Sequence, residues 1–236
     1  MRWIRVLFGL EAFVGVAFFA AMGFNPIAGA QTPPNPAPAS RFTVVLDPAH
    51  GGDDSGGRLA SGQLEKAATL AFSVRLRSLL SARGMAVVTT RESDTAVDPV
   101  RRAAIANHAR AGACVSLHAT ESGSGIHLFT SSLAPTQAGL FVPWKIAQSG
   151  WINRSLALVG ALNSSLLHEN FNVTLSRTAL IGVDNMTCPA LALEIAPARG
   201  AYGKVTAEPD DADYQAHVAN ALAAALLEWR MEAHQP

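Results

Sequence analysis

The chain has 236 residues, of which 49% are hydrophobic and 15% charged, with equal numbers of acidic and basic side chains. A chain of this composition can bury a sizeable core. Its formal net charge of zero lacks the basic excess that a nucleic-acid-binding protein, or a protein held on a membrane by a polybasic surface, requires. We therefore expect no nucleic acid among its partners.

The first thirty residues differ in composition from the rest. Two arginines precede an apolar run over residues 6–24, which only Glu11 interrupts, and small residues follow at positions 28–30. This order is typical of a secretory signal peptide, so we predict that residues 1–30 are removed on export. The run approaches the ~20 residues that span a bilayer, and an uncleaved anchor, which would attach the protein to a membrane, is the alternative.

A proline-rich linker follows at residues 31–40, and residues 41–236 contain no second linker and no internal repeat. By its length this part predicts one domain. Export places it outside the cytoplasm, in the periplasm or another part of the cell envelope. That compartment permits a disulfide between Cys114 and Cys188, while two separate buried thiols are the alternative.

Apolar patterns alternate between strand and helix along the domain. Strands separated by helices of this length cannot all be joined by hairpins, so most must lie parallel, with crossover helices packed on both faces of the sheet. The predicted fold is a three-layer α/β sandwich with a mostly parallel central sheet. The predicted strands are 42–46, 85–89, 114–117, 125–130 and 189–195, and the predicted helices are 64–80, 99–111, 153–167 and a last one containing Tyr214 and Trp229.

Functional sites in such sheets form beyond the carboxyl ends of the strands. His50, Glu65 and His118 end or closely follow predicted strands or begin a helix, and Glu194 lies inside the apolar strand PALALEI. A catalytic zinc ion takes three nitrogen or oxygen ligands and keeps one position open for water, which a His, Glu, His set can supply.

Each of these residues also has an ordinary structural interpretation. Glu65 in the first turn of a helix can act as a cap, and His118 can be a hydrogen-bonded structural histidine. Glu194 is harder to explain in this way, because a carboxylate in a buried apolar strand costs several kcal/mol unless it is paired or bound to a metal.

Five separated segments, LDPAHGGDDSGG, LEKAATLA, VVTTRESD, RRAAIANHARAGACVSLHAT and CPALALEIA, occur in this order between residue 41 and about residue 228. In order and distance they resemble the zinc-dependent N-acetylmuramoyl-L-alanine amidases of the type-3 catalytic domain family. Five motifs at family distances are far more specific than one short pattern.

The resemblance implies one zinc ion per chain, held by His50, Glu65 and His118, with Glu194 beside it as a catalytic residue that is not a ligand. The implied substrate is peptidoglycan, at the amide between the lactyl group of N-acetylmuramic acid and L-alanine, in cell-wall remodelling or daughter-cell separation. Glu194 would take a proton from the attacking water and pass it to the departing amine.

Other family positions are also occupied. Arg91, Asp94, Arg102 and Asn107 are expected to stabilise the fold by hydrogen bonds near the strand ends. Apart from these family positions, His127 lies two residues after Gly125 on the next predicted strand, where it could face the cleft and contact the substrate or the residues around the site.

The chain departs from the family pattern in three places. Ala49 replaces a common glycine, Thr120 replaces a common asparagine, and residues 195–198 (IAPA) replace a Gly-Phe-like stretch. Thr120 can still hydrogen-bond, so we retain it as a candidate substrate-binding residue. The residues that follow Glu194 are expected to contact the substrate differently.

Some exported relatives carry an inhibitory helix that a protein activator removes, between the second histidine motif and the next helix. The corresponding segment here, residues 121–152, contains Phe141, Val142, Trp144 and Trp151, which could line the groove, form a lid or pack on the core; we expect core packing. Two other functions stay open: a catalytically silent peptidoglycan-binding scaffold, and a zinc peptidase or deacetylase that acts on another envelope polymer.

Overall fold

The computed structural model describes residues 42–136 and 141–233. The predicted signal or anchor segment and the proline-rich linker lie outside these residues, so both stay predictions. Among the helices of the described part, none combines the length and the apolar character that crossing a bilayer would require.

The described residues form eight strands and four α-helices that alternate along much of the chain. The strands are β1 (Thr43–Pro48), β2 (Ala86–Thr89), β3 (Ala113–Ala119), β4 (Ile126–Ser131), β5 (Val173–Thr178), β6 (Ala190–Ile195), β7 (Ala198–Arg199) and β8 (Val205–Ala207). The helices are α1 (Glu65–Ala82), α2 (Pro99–Ala109), α3 (Ile152–His168) and α4 (Ala212–Ala233), with short 3₁₀ helices at Trp144–Gly150, Val183–Asn185 and Ala201–Gly203.

Six strands form one sheet in the order β2-β1-β3-β6-β4-β5. β1 runs parallel to both of its neighbours, and β3 runs parallel to β6. The direction reverses between β6 and β4, which pair antiparallel, and β5 runs parallel to β4. The carboxyl ends of β1, β3 and β6 therefore lie along the same edge of the sheet, next to the amino end of β4.

Alternate strand residues pack into two separate apolar layers. Val44, Leu117 and Leu193 join the larger layer, which α1, α3 and α4 cover. Val45 and Cys114 join the smaller layer on the opposite face, beneath α2 and the segment around Val183 and Met186. The predicted three-layer fold, mostly parallel with helices on both faces, is thus confirmed.

The prediction missed β5 and the small β7–β8 pair. Most side chains of β5 (VTLSRT) are exposed, since it is the outer strand of the sheet, and it therefore lacks the apolar run that marks a buried strand. β7 and β8 have two and three residues, too few to show any periodicity. The predicted second helix also ends earlier than expected, at Ala109 rather than about residue 111.

Cys114 and Cys188 form a disulfide, which decides between the two alternatives that the sequence left open. Cys114 lies on β3, and Cys188 lies two residues before β6, so the bond joins the beginnings of two neighbouring central strands. Both cysteines are fully buried.

We expect reduction of this disulfide, or the double change Cys114→Ala and Cys188→Ala, to lower the free energy of unfolding by about 2–4 kcal/mol. The physical reason is that the bond closes a long loop, with a sequence separation of 74 residues, in the unfolded chain. Urea unfolding with and without reductant measures the loss, and mass spectrometry after alkylation counts the thiols. Equal unfolding midpoints for the oxidised protein and for protein with two free thiols would contradict the prediction.

Candidate active site

His50, Glu65 and His118 come together at the carboxyl edge of the sheet. His50 follows β1, His118 is near the end of β3, and Glu65 is the first residue of α1. Because β1 and β3 are parallel neighbours, with Pro48 opposite Leu117, their ends arrive side by side. One potential metal-binding atom from each of the three residues lies within 4.8 Å of the other two.

The carboxylate of Glu65 lies between the two imidazoles. Its Oε2 is 3.1 Å from Nε2 of His50, and its Oε1 is 2.9 Å from Nδ1 of His118. The backbone N–H groups of Gly57 and Ala119 also donate to this carboxylate, at 2.9 and 3.3 Å. Both carboxylate oxygens of Glu65 therefore contact the imidazoles and backbone groups of the site. The interpretation of Glu65 as a simple helix cap is wrong.

Burial of Glu65 opposes its ionisation, but the hydrogen bonds from His118, His50 and Gly57 outweigh burial and hold the pKa of this carboxyl far below its usual range. Glu65 is thus an anion at neutral pH. When the two imidazoles are neutral and each has a free nitrogen lone pair, this buried anion between them is an environment that favours a bound cation.

His50 is oriented by Asp54, a residue that the sequence reasoning missed. Nδ1 of His50 is 2.9 Å from Oδ2 of Asp54, which leaves Nε2 directed at Glu65. The hydrogen bond to Glu65 raises the pKa of His50, and the hydrogen bond to His50 lowers the pKa of Asp54. A carboxylate four residues after a candidate histidine ligand, in HGGDDSGG, was the available signal, since metal-binding histidines usually donate their second ring N–H to such a group.

Gly56 makes the close approach of His50 and Glu65 possible. A Cβ at this position would lie 2.5 Å from Cδ2 of His50 and 2.7 Å from Oε2 of Glu65. Its φ of +62° is also in the left-handed region, which glycine adopts at little cost. The second glycine pair of the motif is therefore part of the site.

Two buried arginines hold the backbone that carries His50. Arg102 pairs with Asp47 at 2.7 Å and donates to the carbonyl oxygens of Pro48 and His50. Arg91 donates to the carbonyl oxygens of Pro48 and Ala49. Burial lowers the pKa of Arg91. These contacts agree with the expected stabilising role of both arginines.

Lys66 and Asp94 secure the glycine turn after His50. Lys66 Nζ donates to the carbonyl oxygen of Gly52 and to Oδ2 of Asp94, each at 2.7 Å, while Oδ1 of Asp94 accepts from the Gly52 N–H at 2.8 Å. The hydrogen bond from Lys66 lowers the pKa of Asp94.

Asn107 does not belong to this region. It lies eight residues after Pro99, about 12 Å further along α2, where its amide donates to the carbonyl oxygen of Asn185 and accepts from the N–H of Thr187. Asn107 therefore forms stabilising hydrogen bonds as expected, but with the segment that covers the smaller apolar layer, so its placement near the site was wrong.

Glu194 lies one strand away from His118. The two residues are register partners on the parallel pair β3–β6, so their side chains leave the sheet on the same face about 5 Å apart at the backbone. The other five residues of β6 are buried, but the Glu194 side chain is 29% exposed. The strand is buried as predicted, and Glu194, next to its last residue, is the one residue of β6 that reaches solvent.

His127 pairs with Glu194 from the other side. It is the register partner of Glu194 on β4, and its Nδ1 is 2.7 Å from Oε1 of the carboxylate. Thr120 follows the end of β3; its N–H donates to the carbonyl oxygen of Ile195, and its hydroxyl oxygen accepts from the Ser122 N–H. Substrate contact by Thr120 or His127 stays a prediction.

The described part of the segment before α3 is attached at the opposite edge of the sheet. The buried amide of Gln148 donates to the carbonyl oxygens of Met186 and Cys188, just before β6 begins. Phe141 and Trp144 are 97% and 54% exposed, so the expected core packing was wrong for these two residues. A polar anchor, rather than the aromatic side chains, joins this segment to the domain.

The three clustered residues fit a single divalent metal ion. Imidazole nitrogens and a carboxylate oxygen bind zinc at about 2.0–2.2 Å, which places tetrahedral neighbours roughly 3.3 Å apart. The two closest donor pairs here are separated by 3.1 and 2.9 Å. Fold and site together define the class of protein: a mostly parallel α/β domain with a candidate His–Glu–His metal centre at the carboxyl edge of its sheet.

The N-acetylmuramoyl-L-alanine amidase family model matches residues 44–228. The chain therefore belongs to this family, which confirms the resemblance found in the five motifs.

Individual relatives agree with this assignment over part of their length. The germination-specific N-acetylmuramoyl-L-alanine amidase of Bacillus subtilis is 31% identical over 132 residues, which cover 50% of this chain and 53% of that protein. The amidase AmiC of Escherichia coli O6:H1 is 35% identical over 123 residues, covering 48% of this chain and 30% of AmiC. The chain thus matches about half or less of the length of these relatives.

A similar solved structure is the CwlD amidase of Clostridioides difficile, determined in complex with the GerS lipoprotein. It has a TM-score of 0.59 at 18% identity and covers 81% of this chain and 100% of CwlD. At this identity the likeness concerns the fold.

We expect Arg102→Met to lower the free energy of unfolding by about 3–5 kcal/mol, because it leaves the buried Asp47 carboxylate without its charged partner. The neighbouring Arg101 is exposed and serves as the matched control, with Arg101→Met expected to change stability by less than about 0.5 kcal/mol. Urea unfolding of the two variants compares them, and equal losses would show that the Asp47–Arg102 pair has no special role.

Proposed function

We propose that this chain is a zinc-dependent N-acetylmuramoyl-L-alanine amidase, which hydrolyses the amide between the lactyl group of N-acetylmuramic acid and the L-alanine of the peptidoglycan stem peptide. The observation that carries the proposal is the convergence of His50, Glu65 and His118 within 4.8 Å, with Glu194 one strand away. Membership of the amidase family supports the identity of the bond that is cleaved.

His50 would hold zinc through Nε2, His118 through Nδ1, and Glu65 through a carboxylate oxygen, the atoms that face one another in the cluster. A bound zinc ion supplies a Lewis acid that polarises the substrate carbonyl and makes water a usable nucleophile at neutral pH. The protein contributes a fixed orientation of these ligands, because Asp54 holds the His50 ring and backbone N–H groups hold Glu65.

Glu194 would serve as the general base and acid. It lies beside His118 on the same face of the sheet and is open to solvent, so one carboxylate oxygen can reach a water molecule at the cluster. In the first half of the reaction Glu194 takes a proton from the attacking water, and in the second half it gives that proton to the departing L-alanine amine. The carbonyl carbon gains a C–O bond and loses its C–N bond.

The setting of this reaction is the cell envelope. The disulfide Cys114–Cys188 is of a kind that persists in oxidising, extracytoplasmic compartments, which supports export to the periplasm or another part of the envelope. Cleavage there would serve cell-wall remodelling or the separation of daughter cells. A protein activator is a further possible partner by analogy with CwlD, whose structure was determined with a lipoprotein.

We expect the zinc-loaded chain to release intact stem peptides, with L-alanine at their amino end, from purified peptidoglycan. Chelation should abolish the release and zinc should restore it, since the reaction depends on the cluster. Mass analysis of the products separates this activity from others: shortened stems would indicate a peptidase, free acetate a deacetylase, and absence of any product a silent binding protein.

Glu194→Gln should lower kcat by about 100-fold or more while zinc binding is retained, because a proton acceptor is lost and no ligand is removed. Glu228→Gln, on the exposed side of α4, provides the control for loss of one negative charge and should retain full activity. For both variants, product release at fixed enzyme concentration gives kcat, and the zinc content shows whether the metal is retained. Unchanged kcat in Glu194→Gln would exclude Glu194 as the proton carrier.

We expect Gly56→Ala to weaken zinc binding by more than tenfold, since the added methyl group would collide with His50 and Glu65. Gly62→Ala is the matched control: Gly62 also has a left-handed φ, of +89°, but nothing lies within 4 Å of the added Cβ. Competition with a coloured chelator compares the two zinc affinities. Equal weakening in both variants would attribute the effect to the backbone conformation rather than to the ligands.

A further inference from the structure

His127 contacts Glu194 from β4, the neighbouring strand on the side away from the metal cluster. The neighbours of Glu194 in the sheet are His118 on β3 and His127 on β4, and both are its direct register partners. Three functional side chains therefore stand in one row across three strands. In this row Glu194 lies between His118, a candidate metal ligand, and His127, which is not part of the metal cluster.

The His127 ring is held in place by its surroundings. Phe129 packs edge-on against it, with ring centroids 6.3 Å apart. Gly123 lies so close to the opposite part of the ring that a Cβ there would be 2.5 Å from Cε1 and 2.8 Å from Nε2. The carbonyl oxygen of Gly123 in turn accepts a hydrogen bond from Nε of Arg199, at 2.9 Å, which ties the glycine loop to β7.

The hydrogen bond between His127 and Glu194 has a defined direction. When Glu194 is ionised, as a general base must be, its carboxylate can only accept, so Nδ1 of His127 carries the hydrogen and donates it to Oε1 over 2.7 Å. This bond engages Oε1 and restrains the rotation of the carboxylate. Oε2 is then the oxygen that is left to receive a proton.

His127 and Glu194 differ in how far their side chains are exposed to solvent. The side chain of His127 is 15% exposed, whereas that of Glu194 is 29% exposed. The carboxylate of Glu194 is thus the more accessible of the two groups, while Nδ1 of His127 is engaged in the hydrogen bond to it. Both features favour a role of His127 that acts through Glu194.

We propose that His127 is a positioning residue for Glu194: by donating from Nδ1 to Oε1 it holds the carboxylate in the orientation in which Oε2 exchanges a proton with the reacting groups. This inference rests on the proposed amidase function. Groups that orient a catalytic or metal-binding side chain typically change activity 10- to 100-fold when removed.

The test compares three replacements of His127 in the full zinc-loaded protein. His127→Ala removes the donor and should lower kcat 10- to 100-fold, with KM within twofold and one zinc ion per chain retained. His127→Asn places an amide N–H where Nδ1 was and should recover most of kcat, whereas His127→Gln reaches one atom too far and should not. A raised KM with normal kcat would instead make His127 a substrate-binding residue, and equal kcat in the Ala and Asn variants would also overturn the proposal.

A second pair of variants tests the ring position without touching its nitrogens. Gly123→Ala should displace the ring and lower kcat. Gly84→Ala, at the end of α1, has nearly the same φ, +76° against +80°, but its added Cβ has only an ordinary contact at 3.9 Å, and it should retain full kcat. Equal kcat in the two variants would show that the contact with Gly123 does not matter, and unfolding midpoints exclude a general loss of stability as the cause.

Nitrogen NMR of the His127 ring tests the positioning role without relying on amidase activity. We expect a hydrogen on Nδ1 in the unaltered protein and a shift of this nitrogen signal in Glu194→Gln. An Nδ1 without hydrogen would overturn the positioning role even in an active amidase. An unaltered protein that releases no stem peptides would refute the amidase function, while the ring signals would still report whether His127 holds Glu194.

Discussion

The site depends on one buried carboxylate. Glu65 begins α1, accepts hydrogen bonds from the backbone of the preceding loop and of β3, and lies between His50 and His118. A buried anion is tolerated only when donors or a cation surround it. The loop, the strand and the two imidazoles that contact Glu65 all meet this requirement. This explains why a glycine must stand at position 56, where any side chain would separate the partners.

A second set of charges holds the backbone rather than the ligands. The guanidinium groups of Arg91 and Arg102 donate to the carbonyl oxygens of residues 48–50, at the end of β1 and just beyond it. His50 itself has a left-handed φ of +62°, a conformation that costs a residue other than glycine free energy. The buried arginines offset this cost, and the imidazole is thereby fixed before any ion binds.

Much of this arrangement could be predicted from the sequence, because apolar strands alternate with amphipathic helices and because His50, Glu65 and His118 lie where such elements begin or end. Residues that act through a neighbour were harder to identify. Asp54 is exposed and lies in a glycine-rich loop without periodicity, and only the fold directs it to Nδ1 of His50. Asn107 was misplaced because its position along α2 cannot be inferred without knowing where that helix begins relative to the sheet edge. β5 was missed since an exposed outer strand carries no apolar pattern.

The position of Glu194 depends on strand register more than on any side-chain contact. His118 and Glu194 are register partners, and a slip of one residue between β3 and β6 would turn Glu194 to the opposite face, among the apolar residues beneath α1, α3 and α4. Cys114 and Cys188 join the beginnings of the same two strands. On the other side, the antiparallel β4 sets its own register against β6 and brings in His127. β4 begins at the edge where β3 and β6 end, and its second residue, His127, thereby lies beside Glu194 on the side away from His118.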